Sequence, residues 1–362
     1  MQNVFERTSV GSLVLKNRLF RSATYDGVSD ATGHVTDSLV EIYEGLAKGG
    51  VGSIITGLAA VTDDEKILPG QMGIYDDSFI DDYKKLVGAV HRYGANIIIQ
   101  LAALGPQTVN NDAHAKRMLG PSSVADIGYG YVPEEMSHDD IAGMERLFAQ
   151  AALRAKRAGF DGVQIHAAHG YLLSRFLTPY YNHRTDMYGG SIDNRGRMLM
   201  ETYAAVREAV GTEYPVLVKI NCDDFMTGGM TFDDCVYMCG KLAAAGVTML
   251  EISGGSRSSR ENKGYSRKIA KGKDAYFANH AQIVKAAVNV PVISVGGHRD
   301  LHAITKLLRD GIADYFSVCR PLICESALVN RWANGDDAPA KCISCNKCST
   351  FGAKVCVLHN SQ

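Results

Sequence analysis

The chain has 362 residues, and 38 lysines and arginines against 39 aspartates and glutamates give it a formal net charge of −1. A balanced charge without a basic stripe argues against a nucleic-acid partner and an anionic membrane surface. The N-terminal residues lack the features of a signal peptide, and no apolar run is long enough to span a bilayer. We therefore expect a soluble, cytoplasmic protein.

Short runs rich in β-branched residues recur along the chain, each followed by a segment with helical periodicity. The predicted strands are Leu19–Ser22, Ser53–Thr56, Asn96–Leu101, Gly162–His166, Val216–Asn221, Met249–Ser253, Val292–Gly296 and Tyr315–Cys319. Most of them are apolar without alternation, which is typical of parallel strands covered on both faces. The predicted helices are Phe79–Tyr93, Ile141–Ala158, Arg195–Val210, Thr231–Ala245 and Tyr276–Ala287.

Local signals mark several helix ends. Ser137 and Asp140 are spaced as a capping box before the helix that precedes the fourth strand. Gly159 and Gly246 each follow an alanine at the end of a helix, where glycine takes the left-handed conformation at little cost.

Eight alternating strand and helix units predict an α/β fold, a closed (β/α)8 TIM barrel spanning residues 1–335. An open doubly wound sheet would give the same order of elements. However, no G-x-G-x-x-G motif follows the first strand, so the dinucleotide-binding signal of that fold is missing. Gly335–Pro339 interrupts the pattern and introduces a short Cys-rich C-terminal tail, residues 336–362.

The ligand site of a TIM barrel lies at the carboxyl ends of its strands. Polar or glycine residues stand at five of these predicted ends, namely Gln100, His166, Lys219, Gly296-Gly297 and Arg320. We therefore expect these residues to meet around one pocket.

Lys219 lies inside the strand sequence Val-Leu-Val-Lys-Ile, which should be buried on both faces. An unpaired ammonium group in that position would cost several kcal/mol, so an anionic partner is required. The partner is either a bound ligand or the carboxylate of Glu251 on the next strand, and the sequence leaves both open.

The segment from His166 to Tyr171 places three proton-capable side chains, His166, His169 and Tyr171, at the end of one strand. A pair of histidines also suits a metal site. No carboxylate or cysteine stands at ligand spacing nearby, which weakens the zinc interpretation.

At this point the sequence resembles the Old Yellow Enzyme family of FMN-dependent oxidoreductases, over about residues 3 to 330. The resemblance is carried by the segments Leu15–Arg18, Ile99–Ala102, His166–Tyr171, Asn182–Arg184, Gly296-Gly297 and Arg320-Pro321. Within the family, the Cys-rich tail makes the chain similar to the NADH:flavin oxidoreductase and dienoyl-CoA reductase branch.

The resemblance implies an FMN site. Gln100 would bind the polar edge of the isoalloxazine ring, Lys219 would lie by its N1–O2 edge, and Arg320 would hold the phosphate together with backbone amides. The implied cofactor-binding residues are Ser22, Ala23, Thr24, Gly57, Gln100, His166, Lys219, Ser253, Gly254, Gly296, Gly297, Cys319 and Arg320.

The resemblance also implies catalytic roles. His166 and His169 would donate hydrogen bonds to the carbonyl oxygen of an unsaturated substrate, where negative charge develops as in an oxyanion hole. Tyr171 would protonate the α-carbon. Tyr25 is a fourth candidate, because it stands where relatives place a Cys or Thr near flavin N5; a shift of one residue would put Thr24 there instead.

Four of the nine cysteines, Cys342, Cys345, Cys348 and Cys356, lie close together in the tail. The spacing of the first three cysteines matches that of [4Fe–4S] ferredoxin runs, but four thiolates also suit structural zinc. Free thiols are the third alternative.

The sequence thus predicts an NAD(P)H-dependent FMN oxidoreductase of ene-reductase type, which reduces the activated C=C bond of an α,β-unsaturated carbonyl or carboxyl compound. The alternatives are an NADH oxidase or flavin reductase without a dedicated alkene, and an electron-transfer subunit. The expected partners are a small-molecule substrate and NAD(P)H, and the expected assembly is a homo-oligomer.

Overall fold

Strands and helices alternate along the chain in the computed structural model, which describes residues 3–65, 68–107, 117–269, 274–348 and 355–358. The strands are β1 (Thr8–Val10), β2 (Leu13–Leu15), β3 (Leu19–Arg21), β4 (Ser53–Ala60), β5 (Met72–Gly73), β6 (Asn96–Ala102), β7 (Leu119–Gly120), β8 (Glu134–Glu135), β9 (Gly162–Ala167), β10 (Val216–Asn221), β11 (Met249–Ser253), β12 (Val292–Val295) and β13 (Tyr315–Val318). The helices are α1 (Asp37–Lys48), α2 (Phe79–His91), α3 (His138–Ala158), α4 (Leu172–Leu177), α5 (Ile192–Arg195), α6 (Arg197–Val210), α7 (Phe232–Ala244), α8 (Ala278–Ala287), α9 (Leu301–Arg309), α10 (Arg320–Cys324) and α11 (Leu328–Ala333).

Eight strands form one closed parallel barrel. Their order is β3-β13-β12-β11-β10-β9-β6-β4, and β3 also pairs with β4, which closes the ring. The predicted TIM barrel is therefore confirmed, and the open doubly wound sheet is excluded. All eight predicted strands are present, and β10 and β11 have the predicted bounds.

The helix ends follow the predicted local chemistry. The Ser137 side chain accepts from the Asp140 amide, and the Asp140 carboxylate accepts from the Ser137 amide, so the capping box is present. Gly159 ends α3 with φ of 90°, in the left-handed region. The predicted helix from Arg195 to Val210 is divided at Gly196 into α5 and α6, and a side chain at that glycine would collide with Met238. Among the described residues, no helix has the length and apolar character needed to cross a membrane.

The amino-terminal half of the barrel interior is an apolar layer. Seven of the strands contribute one buried side chain each, namely Phe20, Ile55, Ile98, Leu217, Met249, Ile293 and Tyr315. Leu13 and Leu15, from the antiparallel hairpin of β1 and β2, belong to the same buried cluster. This hairpin, which the sequence analysis did not predict, therefore completes the apolar layer.

A polar layer follows two residues further along the strands. Alternate residues of a strand face the same side of the sheet. Gln100 therefore lies above Ile98, Lys219 above Leu217, and Glu251 above Met249, all three buried. The barrel thus changes from apolar to polar toward the carboxyl ends of its strands, where the predicted site lies.

Truncation of one hairpin side chain tests the contribution of the hairpin to this core. Leu15 is fully buried, whereas Val14 on the same strand is 46% exposed. We expect Leu15→Ala to lower the free energy of unfolding by about 2–5 kcal/mol, because it leaves a cavity in a packed core. Val14→Ala, the matched control, should change it by less than about 0.5 kcal/mol. Urea unfolding followed by circular dichroism measures both, and equal effects would contradict a core role for the hairpin.

Candidate active site

A cavity of about 260 Å³ opens at the carboxyl ends of the barrel strands. It brings together most of the residues that the sequence analysis assigned to a site. The predicted residues in its lining are Ser22, Ala23, Thr24, Tyr25, Gln100, His166, His169, Tyr171, Lys219, Ser253, Gly296, Gly297, Cys319 and Arg320.

Two predicted cofactor contacts, Gly57 and Gly254, are not in this lining. A Cβ atom at Gly57 would lie 2.7 Å from the Thr24 carbonyl oxygen, and one at Gly254 would lie 2.8 Å from Cys222 Sγ. Both glycines therefore allow close packing behind the cavity wall, and their contact with a cofactor stays a prediction.

A buried ion pair reaches the floor of the cavity through its lysine, Lys219. Lys219 Nζ lies 3.5 Å from Glu251 Oε2 and donates to Ser22 Oγ at 3.1 Å. Ser22 Oγ in turn donates to Glu251 Oε1 at 2.9 Å. Lys219 thus has the carboxylate partner that the sequence offered as one alternative, and it also lines the cavity.

A hydrogen-bonded relay of side chains extends from this ion pair to Gln100. Gln164 Nε2 donates to Glu251 Oε2 at 2.8 Å, and Gln100 Nε2 donates to Gln164 Oε1 at 2.7 Å. Gln164 was not predicted as a site residue. It lies two positions before His166 on β9, so both side chains face the barrel interior. This spacing is the signal that would have identified it.

His166 is buried and its tautomer is fixed by the backbone. The Ala168 amide donates to His166 Nδ1 at 3.2 Å, so a neutral ring carries its proton on Nε2. Burial and the positive charge of Lys219 lower the pKa of His166 well below its usual range. The imidazole is therefore a neutral hydrogen-bond donor at the cavity.

His169 has an unusual backbone conformation. Its φ of 65° lies in the left-handed region, which is uncommon for residues other than glycine and clusters at functional sites. The His169 amide donates to Asn221 Oδ1 at 3.1 Å, and a side chain at the following Gly170 would collide with Gln107. His169 Nε2 lies 2.8 Å from Ser253 Oγ. Burial, then His166 and Lys219, lower the pKa of His169 well below its usual range.

Tyr171 completes the predicted group of proton-capable side chains. Its ring centroid lies 4.9 Å from that of His166 and 6.5 Å from that of His169. Burial raises the pKa of the Tyr171 phenol well above its usual range, so the group keeps its proton. The three side chains that the sequence singled out are therefore neighbours at one wall of the cavity.

Tyr25 and Thr24 both lie on the cavity wall. The Tyr25 hydroxyl donates to the Pro69 carbonyl, and burial raises the pKa of Tyr25 to about 12. The Thr24 hydroxyl contacts Arg21 and lies 3.0 Å from Cys319 Sγ. The catalytic role given to Tyr25 stays a prediction.

The end of the cavity at β12 and β13 is lined by glycine and arginine. Gly296 and Gly297 have φ values of 103° and 89°, so their backbone conformation requires glycine. A Cβ atom at Gly296 would lie 2.6 Å from the Tyr276 ring. Arg320 Nη1 donates to the Arg267 carbonyl at 2.8 Å and to Asn346 of the tail.

The sequence analysis did not identify several residues of the cavity mouth. These are Tyr129, Arg257, Tyr265, Arg299 and Ser344. The first four follow barrel strands at a distance, on loops whose path no periodicity fixes. Their position after strand ends was the only available signal.

The four tail cysteines, Cys342, Cys345, Cys348 and Cys356, line a second, smaller cavity. Cys348 lines the main cavity as well. Within the described parts of the chain, no group of three or more His, Cys, Asp or Glu residues is arranged to hold a metal ion. The geometry therefore does not support the predicted iron–sulfur or zinc site.

The chain has clear relatives. The sequence profile of the NADH:flavin oxidoreductase / NADH oxidase family matches residues 3–338. An NADH oxidase from Thermoanaerobacter brockii is 34% identical over 346 residues, 95% of this chain and 53% of the relative. An NADPH dehydrogenase from Clostridium acetobutylicum is 30% identical over 321 residues, 88% of this chain and 91% of the relative.

A solved complex of 2-naphthoyl-CoA reductase with 2-naphthoyl-CoA has a TM-score of 0.90 at 26% identity, over 98% of this chain and 56% of that structure. The chain spans about half the length of the NADH oxidase that it matches. The family profile nevertheless covers all eight barrel strands and every residue of the cavity lining except Ser344 and Cys348 of the tail. The chain therefore belongs to the NADH:flavin oxidoreductase / NADH oxidase family, and the resemblance to the Old Yellow Enzyme family is confirmed.

Proposed function

We propose that the chain is an FMN-dependent, NAD(P)H-consuming reductase of activated C=C bonds. The observation that carries this proposal is the cavity that joins a buried cation, Lys219, to two neutral imidazoles and a protonated phenol. Such a set fits a ring that gains negative charge on reduction and a substrate whose oxygen gains negative charge during hydride transfer.

The residues present fit FMN. Lys219 and Gln100 on the floor would face the polar edge of the isoalloxazine ring. Gly296 and Gly297 form a turn without side chains beside Arg320, and this end of a TIM barrel is a frequent phosphate site. Arg320 would pair with the phosphate oxygens. When bound, FMN supplies the hydride-transfer chemistry, and the protein binds, orients and polarises.

The histidine pair and Tyr171 would act on the substrate. His166 would donate from Nε2, because its Nδ1 already accepts from the Ala168 amide. His169 would add a second donor to the same carbonyl oxygen. Tyr171, which lies beside both rings, would deliver the proton to the α-carbon.

Loss of either imidazole should slow alkene reduction. We expect His166→Ala and His169→Ala each to lower kcat/KM for an enone about a hundredfold, the effect of about 3 kcal/mol when an oxyanion donor is lost. FMN content, measured by absorbance, should remain that of the wild type. Anaerobic assays with cyclohexenone and NADH or NADPH measure the rate.

The control is His302→Ala, since His302 is 74% exposed in a surface pair with Asp337. This variant should retain the wild-type rate. An unchanged enone turnover in the double variant of His166 and His169 would remove the proposed mechanism. A wild-type rate with enone no higher than the oxygen background would favour the NADH oxidase alternative.

The direction of the pKa shifts predicts the pH profile. Depressed pKa values keep His166 and His169 neutral at and below the ordinary histidine pKa, and a raised pKa keeps Tyr171 protonated beyond the ordinary tyrosine pKa. We therefore expect kcat/KM for the enone to show no limb from these groups between about pH 6.5 and about pH 10. A limb near pH 6.5 that disappears in His166→Ala would contradict a neutral donor.

We include a [4Fe–4S] cluster on the tail thiolates as part of the proposal. It rests on the spacing of the first three cysteines, and all four cysteines line one small cavity. The thiols do not stand at ligand geometry, so binding would require them to move. A cytoplasmic location and a homo-oligomeric state also stay predictions.

Metal analysis of anaerobically purified protein tests the tail. We expect about four iron atoms per chain, the content of one [4Fe–4S] cluster, together with a broad absorption shoulder beside the flavin bands. The variant Cys345→Ser should lose the iron but keep the FMN. Stoichiometric zinc, or protein free of both metals, would overturn the cluster assignment.

A further inference from the structure

We propose that Glu251 is a positioning residue that lowers the reduction potential of the flavin and fixes the orientation of the Gln100 amide. This inference rests on the proposed function, because it concerns how the cavity floor meets bound FMN. Its subject is the buried carboxylate directly behind Ser22 and Lys219, not the residues that line the cavity.

Glu251 is fully buried and does not line the cavity. Its oxygens accept from Ser22 and Gln164, and Lys219 Nζ lies 3.5 Å away. Burial of a carboxylate is tolerated when the group is both paired and hydrogen-bonded. The pairing also follows from the fold, since Lys219 and Glu251 are direct neighbours in the register of β10 and β11.

The carboxylate sets the direction of the relay. An ionised carboxylate only accepts hydrogen bonds, so Gln164 must present its NH2 group to Glu251. The carbonyl of Gln164 is then turned toward Gln100, whose own NH2 group must donate to it. The relay therefore leaves the side-chain oxygen of Gln100, Oε1, to contact a ligand. This oxygen would accept a hydrogen bond from the ring N–H of a flavin.

The same carboxylate opposes the charge of Lys219. A cation on the cavity floor favours a reduced ring that carries negative charge. Glu251 contributes one negative charge at close range to that cation, in an interior where charges interact more strongly than in water. The pair is therefore close to neutral as seen from the cavity, and the flavin is reduced less easily than Lys219 alone would allow.

A purely structural role for Glu251 would hold Lys219 in place without setting the potential. The two roles differ when the charge is removed but the shape is kept. In Glu251→Gln, the amide fills the same volume and the lysine keeps its bond to Ser22, but its positive charge is no longer offset.

The experiment is a measurement of the reduction potential of bound FMN by equilibration with reference dyes. We expect Glu251→Gln to favour reduced over oxidised FMN at least about tenfold more than the wild type does, which is about 30 mV for a two-electron couple. In Glu251→Asp, which keeps the charge, the ratio of reduced to oxidised FMN should remain within about twofold of that of the wild type. Glu6→Gln is the matched control, because it removes the same charge from an ion pair with Arg18 outside the cavity.

If Glu251→Gln does not fold, a second variant tests the same proposal. The double variant Lys219→Met with Glu251→Gln removes both charges, and replacing a buried ion pair as a whole is often tolerated. At the same ambient potential, its ratio of reduced to oxidised FMN should lie within about twofold of that of the wild type. A potential far below the wild type would show that only Lys219 matters.

The outcomes separate the two proposals. If the wild-type protein does not bind FMN, the proposed function fails. If it binds FMN and Glu251→Gln has the wild-type potential, the proposed function stands and the role of Glu251 is overturned.

Discussion

A single ammonium group inside the barrel constrains much of the surrounding structure. Lys219 is 3% exposed on the barrel strand β10, and it is stable there because Glu251 and Ser22 supply an opposite charge and an acceptor. Its charge also acts on the cavity, because it contributes to the low pKa values of His166 and His169. One buried cation therefore requires a partner below, and it adds to the effect of burial that keeps the two imidazoles above it neutral.

The two-residue period of the strands connects this charge to the fold. The barrel interior begins with the apolar layer that the hairpin of β1 and β2 completes, and the next inward-facing residues are polar. A shift of one residue in the register of β10 would turn Lys219 to the outer face of the barrel and an apolar neighbour, Val218 or Ile220, to the inner face. The apolar layer thus fixes the register that places the ammonium group on the floor of the cavity.

The sequence predicted the barrel well because parallel strands have a simple signature. β10 and β11 were predicted with their observed bounds, and the cavity gathers the residues that stand at strand ends. The hairpin and the loop residues Tyr129 and Arg257 escaped prediction because no periodicity places them. The strand pattern predicts that Gln164 faces inward like His166, but its role depends on the side-chain relay to Glu251, which the pattern does not show. The tail cysteines were identified by spacing, but spacing does not determine how their side chains are arranged.

Arg320 connects two parts of the chain that the sequence treats as separate. Its guanidinium group lines the cavity, and it also donates to Ser344 and Asn346 in the tail. Linkage between two equilibria is reciprocal. Any anion that binds Arg320 more tightly while these contacts are present would therefore stabilise the contacts by the same factor, so one side chain would couple occupancy of the cavity to the position of Ser344 and Asn346.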